Sequence, residues 1–186
     1  YQDGTEPGHV VLRWAARIAG VLLIPIAILA GYALNLRVDQ YGLTPERVFA
    51  AAFVVVAAGY AVGYAIAALR PGAWMKTLEP TNLLLAVVAV VLLVALFTPI
   101  ADPARLSVNS QAQRLEAGKV APDKFDYQFL RFDSGRYGRE ALDRLKSDKN
   151  PDIAKRAADA VAMKEKTYAP ANRGPDFGNM KVYPAG

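Results

Sequence analysis

Residues 81–101 read TNLLLAVVAVVLLVALFTPIA and carry no charge; Glu79 stands just before them and Asp102 just after. An α-helix rises about 1.5 Å per residue, so about 20 apolar residues cross a hydrocarbon core of about 30 Å. A soluble domain of this size rarely offers a helix that is apolar on every side. The stretch therefore predicts a membrane-spanning helix over 80–101.

Two similar stretches lie upstream. VVLRWAARIAGVLLIPIAILAGYALNLR has no charge between Arg17 and Arg37 and predicts a first span over 10–36. Trp14 and Arg17 suit the headgroup level, where an amphipathic ring or a snorkelling cation is favourable. Pro25 removes one helical hydrogen bond and predicts a kink. The loop VDQYGLTPER follows, with Thr44 as a helix cap and Pro45 at the first helical position. A second span is expected over 47–69, between Arg47 and Arg70. Within it Gly59 and Gly63 form a G-x-x-x-G pair, which lets a neighbouring helix approach closely. The motif is weak in so Ala/Gly-rich a helix. Tyr60 and Tyr64 share a face and could line a cavity or pack against a neighbour. In the next loop, RPGAWMKTLEP, Arg70, Trp74 and Lys76 suit an interface.

Loops this short make consecutive spans antiparallel neighbours. The fold expected is an all-α membrane protein of three antiparallel transmembrane helices, followed by a small α-helical extramembrane region and an irregular C-terminal tail. Residues 1–9 read as a polar tail or upstream linker, 10–101 as the transmembrane domain, 102–166 as the helical region and 167–186 as the tail.

The charge distribution divides the chain at the same place. Residues 1–100 carry six Lys or Arg and five Asp or Glu; residues 101–186 carry sixteen and twelve. The second half is thus soluble in character and slightly basic. No aromatic-and-basic pattern points to nucleic acid. There is no Cys, which excludes disulfides and thiol chemistry. The chain begins at Tyr1 rather than Met, so a processed or incomplete N-terminus is expected, as part of a longer protein. The apolar run from residue 10 is too long for a signal peptide.

In the second half, Asp102-Pro103 is a helix start and ARLSVNSQAQRLEAG a helix closing at Gly118. APDKFDYQFLRFDSGRYG is aromatic and Gly-interrupted. Phe125, Phe129, Leu130 and Phe132 are expected to anchor this region on a neighbour or the membrane surface. REALDRLKS predicts a short helix. Asn150-Pro151 starts another, with Ile153, Ala157, Val161 and Lys164 at helical spacing. Such Ala-rich helices bury little area and need support from the rest of the protein.

The search for chemistry is mostly negative. Phosphate loops, dinucleotide fingerprints, H-E-x-x-H and G-x-S-x-G are all missing. His9, the one histidine, lies in the N-terminal tail. Asp123, Asp126 and Asp133 form the best acidic group, and carboxylates can hold hard cations. Their spacing fits no calcium loop, and Lys124 and Arg131 stand beside them, so caps and surface ion pairs are the plainer reading. No metal or cofactor is expected. The interiors of the three spans hold no acid, base or histidine, where ion pathways usually mark themselves.

LRVDQYGLTPERV, the span ending at Arg70, and the final span followed by DPARLSVNSQAQRL and FDYQFLRFDSGRYG together resemble the bacterial family called domain of unknown function 4153. The residues carrying the resemblance are Arg37, Gln40, Tyr41, Gly42, Leu43, Thr44, Pro45 and Arg47 in the loop. Asp102, Pro103, Ser107, Ser110, Gln111 and Arg114 follow the last span, and Asp126, Leu130 and Gly138 complete the set. It covers roughly residues 10–146. The resemblance implies a multi-pass protein of the bacterial inner membrane. Its members are longer, with further helices upstream, so this chain would be a C-terminal portion. No activity comes with it.

Without the family, YGLTP reads as a rigid interfacial turn. Arg37, Tyr41 and Arg47, with Trp74 and Lys76, are candidates for contact with lipid headgroups or the interface; snorkelling arginines are the plainer reading. Three crossings put Arg13, Arg17, Arg70 and Lys76 on one side, and Arg37, Arg47, Arg105 and Arg114 on the other. Counting short loops by the positive-inside rule points to an extracytoplasmic C-terminal region. The leading functional expectation is a non-enzymatic subunit or scaffold. It would pack in the lipid bilayer with other membrane chains or missing upstream helices. One alternative is the C-terminal part of a transporter or lipid-handling protein. Another is a membrane-surface enzyme using Asp123 and Asp126.

Overall fold

The computed structural model describes residues 10–70 and 75–166. Every regular element among them is helical: α1 (Val10–Tyr41), α2 (Pro45–Leu69), α3 (Met75–Leu96), α4 (Pro103–Glu116), α5 (Gly135–Leu145) and α6 (Pro151–Ala162). A π-helical turn, Phe129–Asp133, precedes α5. The first three helices are long and apolar enough to cross a membrane, because apolar residues occupy all of their faces rather than one stripe.

Helix α2 is the middle of this layer and contacts both neighbours. Small residues set the spacing. A Cβ on Gly20 of α1 would lie 3.2 Å from the Tyr64 carbonyl of α2, and one on Gly31 would lie 3.6 Å from Val54 Cγ1. Numbers descend on α2 as they ascend on α1. On the other side a Cβ on Gly59 would come within 2.5 Å of Leu85 Cδ2, and one on Gly63 would run into the Thr81 side chain. Tyr64 donates to Asn82 Oδ1 at 3.0 Å across the α2–α3 seam, and its ring meets Tyr60 edge to face at 5.7 Å. Leu69, Phe53 and Phe97 remain 77%, 75% and 80% exposed. Apolar surface of this kind suits lipid or another membrane helix rather than water.

The helix ends differ from the sequence reading for local reasons. Helix α1 runs past Arg37 to Tyr41, until Gly42 adopts φ +78. That left-handed residue closes the helix with its N–H on the Val38 carbonyl at 2.7 Å. Helix α2 begins at Pro45, where the Thr44 side chain accepts from Arg47 N. Helix α3 ends at Leu96 rather than near 101. Phe97 N and Thr98 N bond the Val94 and Ala95 carbonyls in tightened turns, and Pro99 then denies a further donor. Helix α1 continues through Pro25 and α3 through Pro80. Trp74 and the segments 1–9 and 167–186 lie outside the described residues.

After the membrane the rules change to those of a soluble domain. Asp102 caps α4, its Oδ1 accepting from Ala104 N at 2.9 Å. Gly118, at φ +68, closes α4 in a Schellman turn, with Lys119 N on the Arg114 carbonyl at 2.9 Å. Asn150 caps α6 through Asp152 N at 3.0 Å. Helices α4, α5 and α6 and the aromatic segment enclose one core built on Val108, Leu115, Leu130, Leu142, Leu145 and Ile153. Phe125 and Leu130 belong to this core, and Phe129 packs against it. Each fully buried leucine contributes about 1.5–3 kcal/mol. Gly138 is what lets α5 lie on the π-helical turn, since a Cβ there would collide with the Leu130 carbonyl.

Candidate functional site: a clamp of α4 on the first membrane turn

An α-helix leaves its last four carbonyls without intrahelical donors. For α1 these are Val38, Asp39, Gln40 and Tyr41. Each is satisfied, and all but Val38 by a side chain from far along the sequence. Arg114 Nη1 donates to the Asp39 carbonyl at 2.9 Å, and Nη2 to the Gln40 carbonyl at 2.7 Å. Gln111 Nε2 donates to the Tyr41 carbonyl at 3.0 Å and to the Leu43 carbonyl at 2.9 Å. Ser110 Oγ accepts from Leu43 N at 3.0 Å. Arg47 Nη1 donates to the Gly42 carbonyl, and its guanidinium lies 5.5 Å from the Tyr41 ring centroid.

Position on α4 explains the reach. Ser110, Gln111 and Arg114 fall on one helical face, as residues three and four apart do. The guanidinium also sits at the negative end of the α1 dipole, which favours a cation there. Gly42 is required twice over. Its φ is positive, and a Cβ would lie 2.7 Å from both Arg114 Cδ and Gln111 Nε2. Beneath this face Ser107 is fully buried, and its hydroxyl has no partner among the described residues. Beside the clamp a small cavity of about 200 Å³ is lined by Thr44, Gln111, Phe125, Asp126 and Phe129.

The two stretches quoted from the sequence, YGLTPER and SVNSQAQR, therefore meet. The family of proteins described as domain of unknown function 4153 matches residues 2–145. The chain belongs to that family. No curated protein and no solved structure matches it. The domain of unknown function 4153 match contains both halves of the clamp. It ends before α6, although α6 supplies Ile153 and Ala157 to the extramembrane core. Family and helices together make this an integral membrane protein.

The residues singled out from sequence fall in several places. Tyr41 and Arg47 are part of the clamped turn. Arg37 is exposed on α1 one turn before it, and Lys76 is exposed at the start of α3. Gly59 and Gly63 face α3. Asp126 Oδ1 accepts from Phe129 N at 2.9 Å and so caps the π-helical turn, while Asp123 is exposed. Asp133 pairs with Lys166. Among the described residues no group of three acids or histidines could hold a metal ion. Sequence reasoning missed the pairing roles of Ser110, Gln111 and Arg114. The only signal was their helical spacing, which says that they share a face but not what the face touches.

Outside the membrane, burial pushes the Tyr127 hydroxyl above its ordinary pKa. That hydroxyl is buried with no hydrogen-bond partner among the described residues. Its place in the core, beside Phe125 at 4.8 Å between ring centroids, is structural.

Proposed function

We propose that this chain is a non-enzymatic membrane subunit, a scaffold that links a layer of membrane helices to a fixed extramembrane platform. The observation carrying it is the clamp. Ser110, Gln111 and Arg114 tie α4 to the end of α1, so a load on the platform is transmitted to the first helical hairpin. The outward faces of α1 and α3, with Trp14, Ile18, Leu84 and Val91 exposed, are supporting features, because another membrane helix can pack there as readily as lipid. The bacterial inner membrane is its proposed location, with the platform extracytoplasmic by the balance of positive charge in the short loops.

An enzymatic role through Asp123 and Asp126 has less support, since Asp126 is engaged as a cap and both side chains lie open to solvent. Purification of the tagged full chain from its native membrane in mild detergent tests the scaffold reading. Other membrane proteins are expected to co-elute in fixed proportion. A monodisperse species containing only this chain would overturn it.

A further inference from the structure

Where the chain leaves the membrane, an open cleft of about 540 Å³ lies between the end of α3 and helices α4 and α5. Pro99 forms its membrane-side wall, Arg105 comes from α4, and Arg136 and Arg144 come from α5. Three guanidinium groups thus line one hollow.

Two of them are held in place. Arg105 Nη1 donates to the Pro99 carbonyl. Arg136 Nη2 donates to the Tyr137 hydroxyl at 2.8 Å, and its guanidinium carbon lies 4.6 Å from that ring's centroid. A guanidinium has five N–H donors, so each retains most of them for a ligand. Arg144 makes no side-chain hydrogen bond or ion pair among the described residues. Two carboxylates also line the cleft, Glu140 and Asp143, and Asp143 is paired with Lys146 at 2.7 Å. The lining is therefore net positive.

Height decides the ligand. Phe97 and Ile100, on either side of Pro99, are each 80% exposed, which suits the apolar layer of a membrane at the end of a spanning helix. The headgroup zone extends about 5–7 Å beyond the hydrocarbon on each side, so a hollow walled by Pro99 opens at the level of the lipid phosphates. Arginine is suited to phosphate oxygens because its planar fork donates two parallel hydrogen bonds. We propose that this cleft binds the phosphodiester headgroup of an anionic phospholipid, with Arg105, Arg136 and Arg144 as the phosphate donors. The proposal does not depend on the scaffold reading.

The test uses the full chain in mild detergent and native mass spectrometry, with phosphatidylglycerol and phosphatidylcholine added in parallel. Retention of phosphatidylglycerol over phosphatidylcholine is expected. It should fall about tenfold or more in the double variant Arg136→Gln, Arg144→Gln, given what each basic group contributes at an anionic surface. Arg144→Gln alone should show part of the loss and keeps the protein testable, because that side chain supports nothing else. Lys155→Gln, the same single charge change as Arg144→Gln at an exposed position of α6, should have no effect. Unchanged lipid preference in the double variant, or equal loss in Lys155→Gln, would sink the proposal. Inorganic phosphate bound tighter than about 1 mM and lost in the same variants would assign the cleft to a soluble phosphate and overturn the lipid reading.

Discussion

At the scale of single residues, Gly42 and Arg114 carry the most consequence. Arg114 closes two helix-terminal carbonyls with one guanidinium, and hydrogen bonds from charged groups are worth about 1.5–3 kcal/mol. Arg114→Ala should lower stability by about 2 kcal/mol, read as an earlier thermal transition in detergent. Gly42→Ala should cost at least as much, because it adds about 1–2 kcal/mol of left-handed strain to a collision with the same side chain. Arg114→Lys should recover only part of the loss, since an ammonium keeps the charge and its donors but lacks the rigid planar fork that reaches both carbonyls at once. Tyr127 makes the opposite prediction. Its buried hydroxyl has no partner, so Tyr127→Phe should leave stability near neutral pH unchanged or slightly raised. The phenol's pKa is raised in the folded state, so the neutral form is the one that folding favours. That contribution is complete below the ordinary value of 10.0 and is lost as pH rises through the folded value. Alkaline titration of thermal stability should therefore show a decline above about pH 10 that Tyr127→Phe diminishes.

At the scale of elements, the seam between α2 and α3 depends on what is missing from Gly59 and Gly63. No hydrophobic force drives helices together in lipid, so close approach and interhelical hydrogen bonds carry the association. Gly63→Val should separate α3 from α2, strain the Tyr64–Asn82 hydrogen bond and cost about 1–3 kcal/mol by overpacking. Gly31→Val should be milder, since a Cβ there meets Val54 Cγ1 only at ordinary contact distance. Trypsin resistance of the detergent-solubilised protein would rank the two, and equal sensitivity would argue that the seam is not tightly packed. The extramembrane helices depend on each other more than on propensity. Their packing around Leu130 and Leu142, both fully buried, is what holds helices of this length in place.

At the scale of the whole molecule, the clamp places the α1–α2 turn and the α4–α6 platform at the same end of the membrane helices. The chain contains no Cys, so single cysteines report cleanly. An impermeant thiol reagent applied to sealed vesicles should label Asp39→Cys and Lys149→Cys from the same side and Arg70→Cys from the opposite one. Labelling of Asp39→Cys and Lys149→Cys from different sides would contradict the clamp directly. The experiment also fixes which side faces the cytoplasm.

The spans, the turns and the family were legible in the sequence. Charge-free runs of about twenty residues have one stable setting. Thr44-Pro45, Asp102-Pro103 and Asn150-Pro151 announce helix starts through local capping chemistry. The residues YGLTP and SVNSQAQR announced the family, yet not that they touch. Only the tertiary structure brought Gln111 and Arg114 onto Asp39, Gln40, Tyr41 and Leu43. Only folding put Arg105, Arg136 and Arg144 around one cleft and sent Phe125 and Leu130 into the platform core. Local signals act over one helical turn, whereas these contacts join positions some seventy residues apart. Which donor meets which open carbonyl is decided by how α3 delivers α4 back to the first turn, a matter of packing that no neighbouring residues encode.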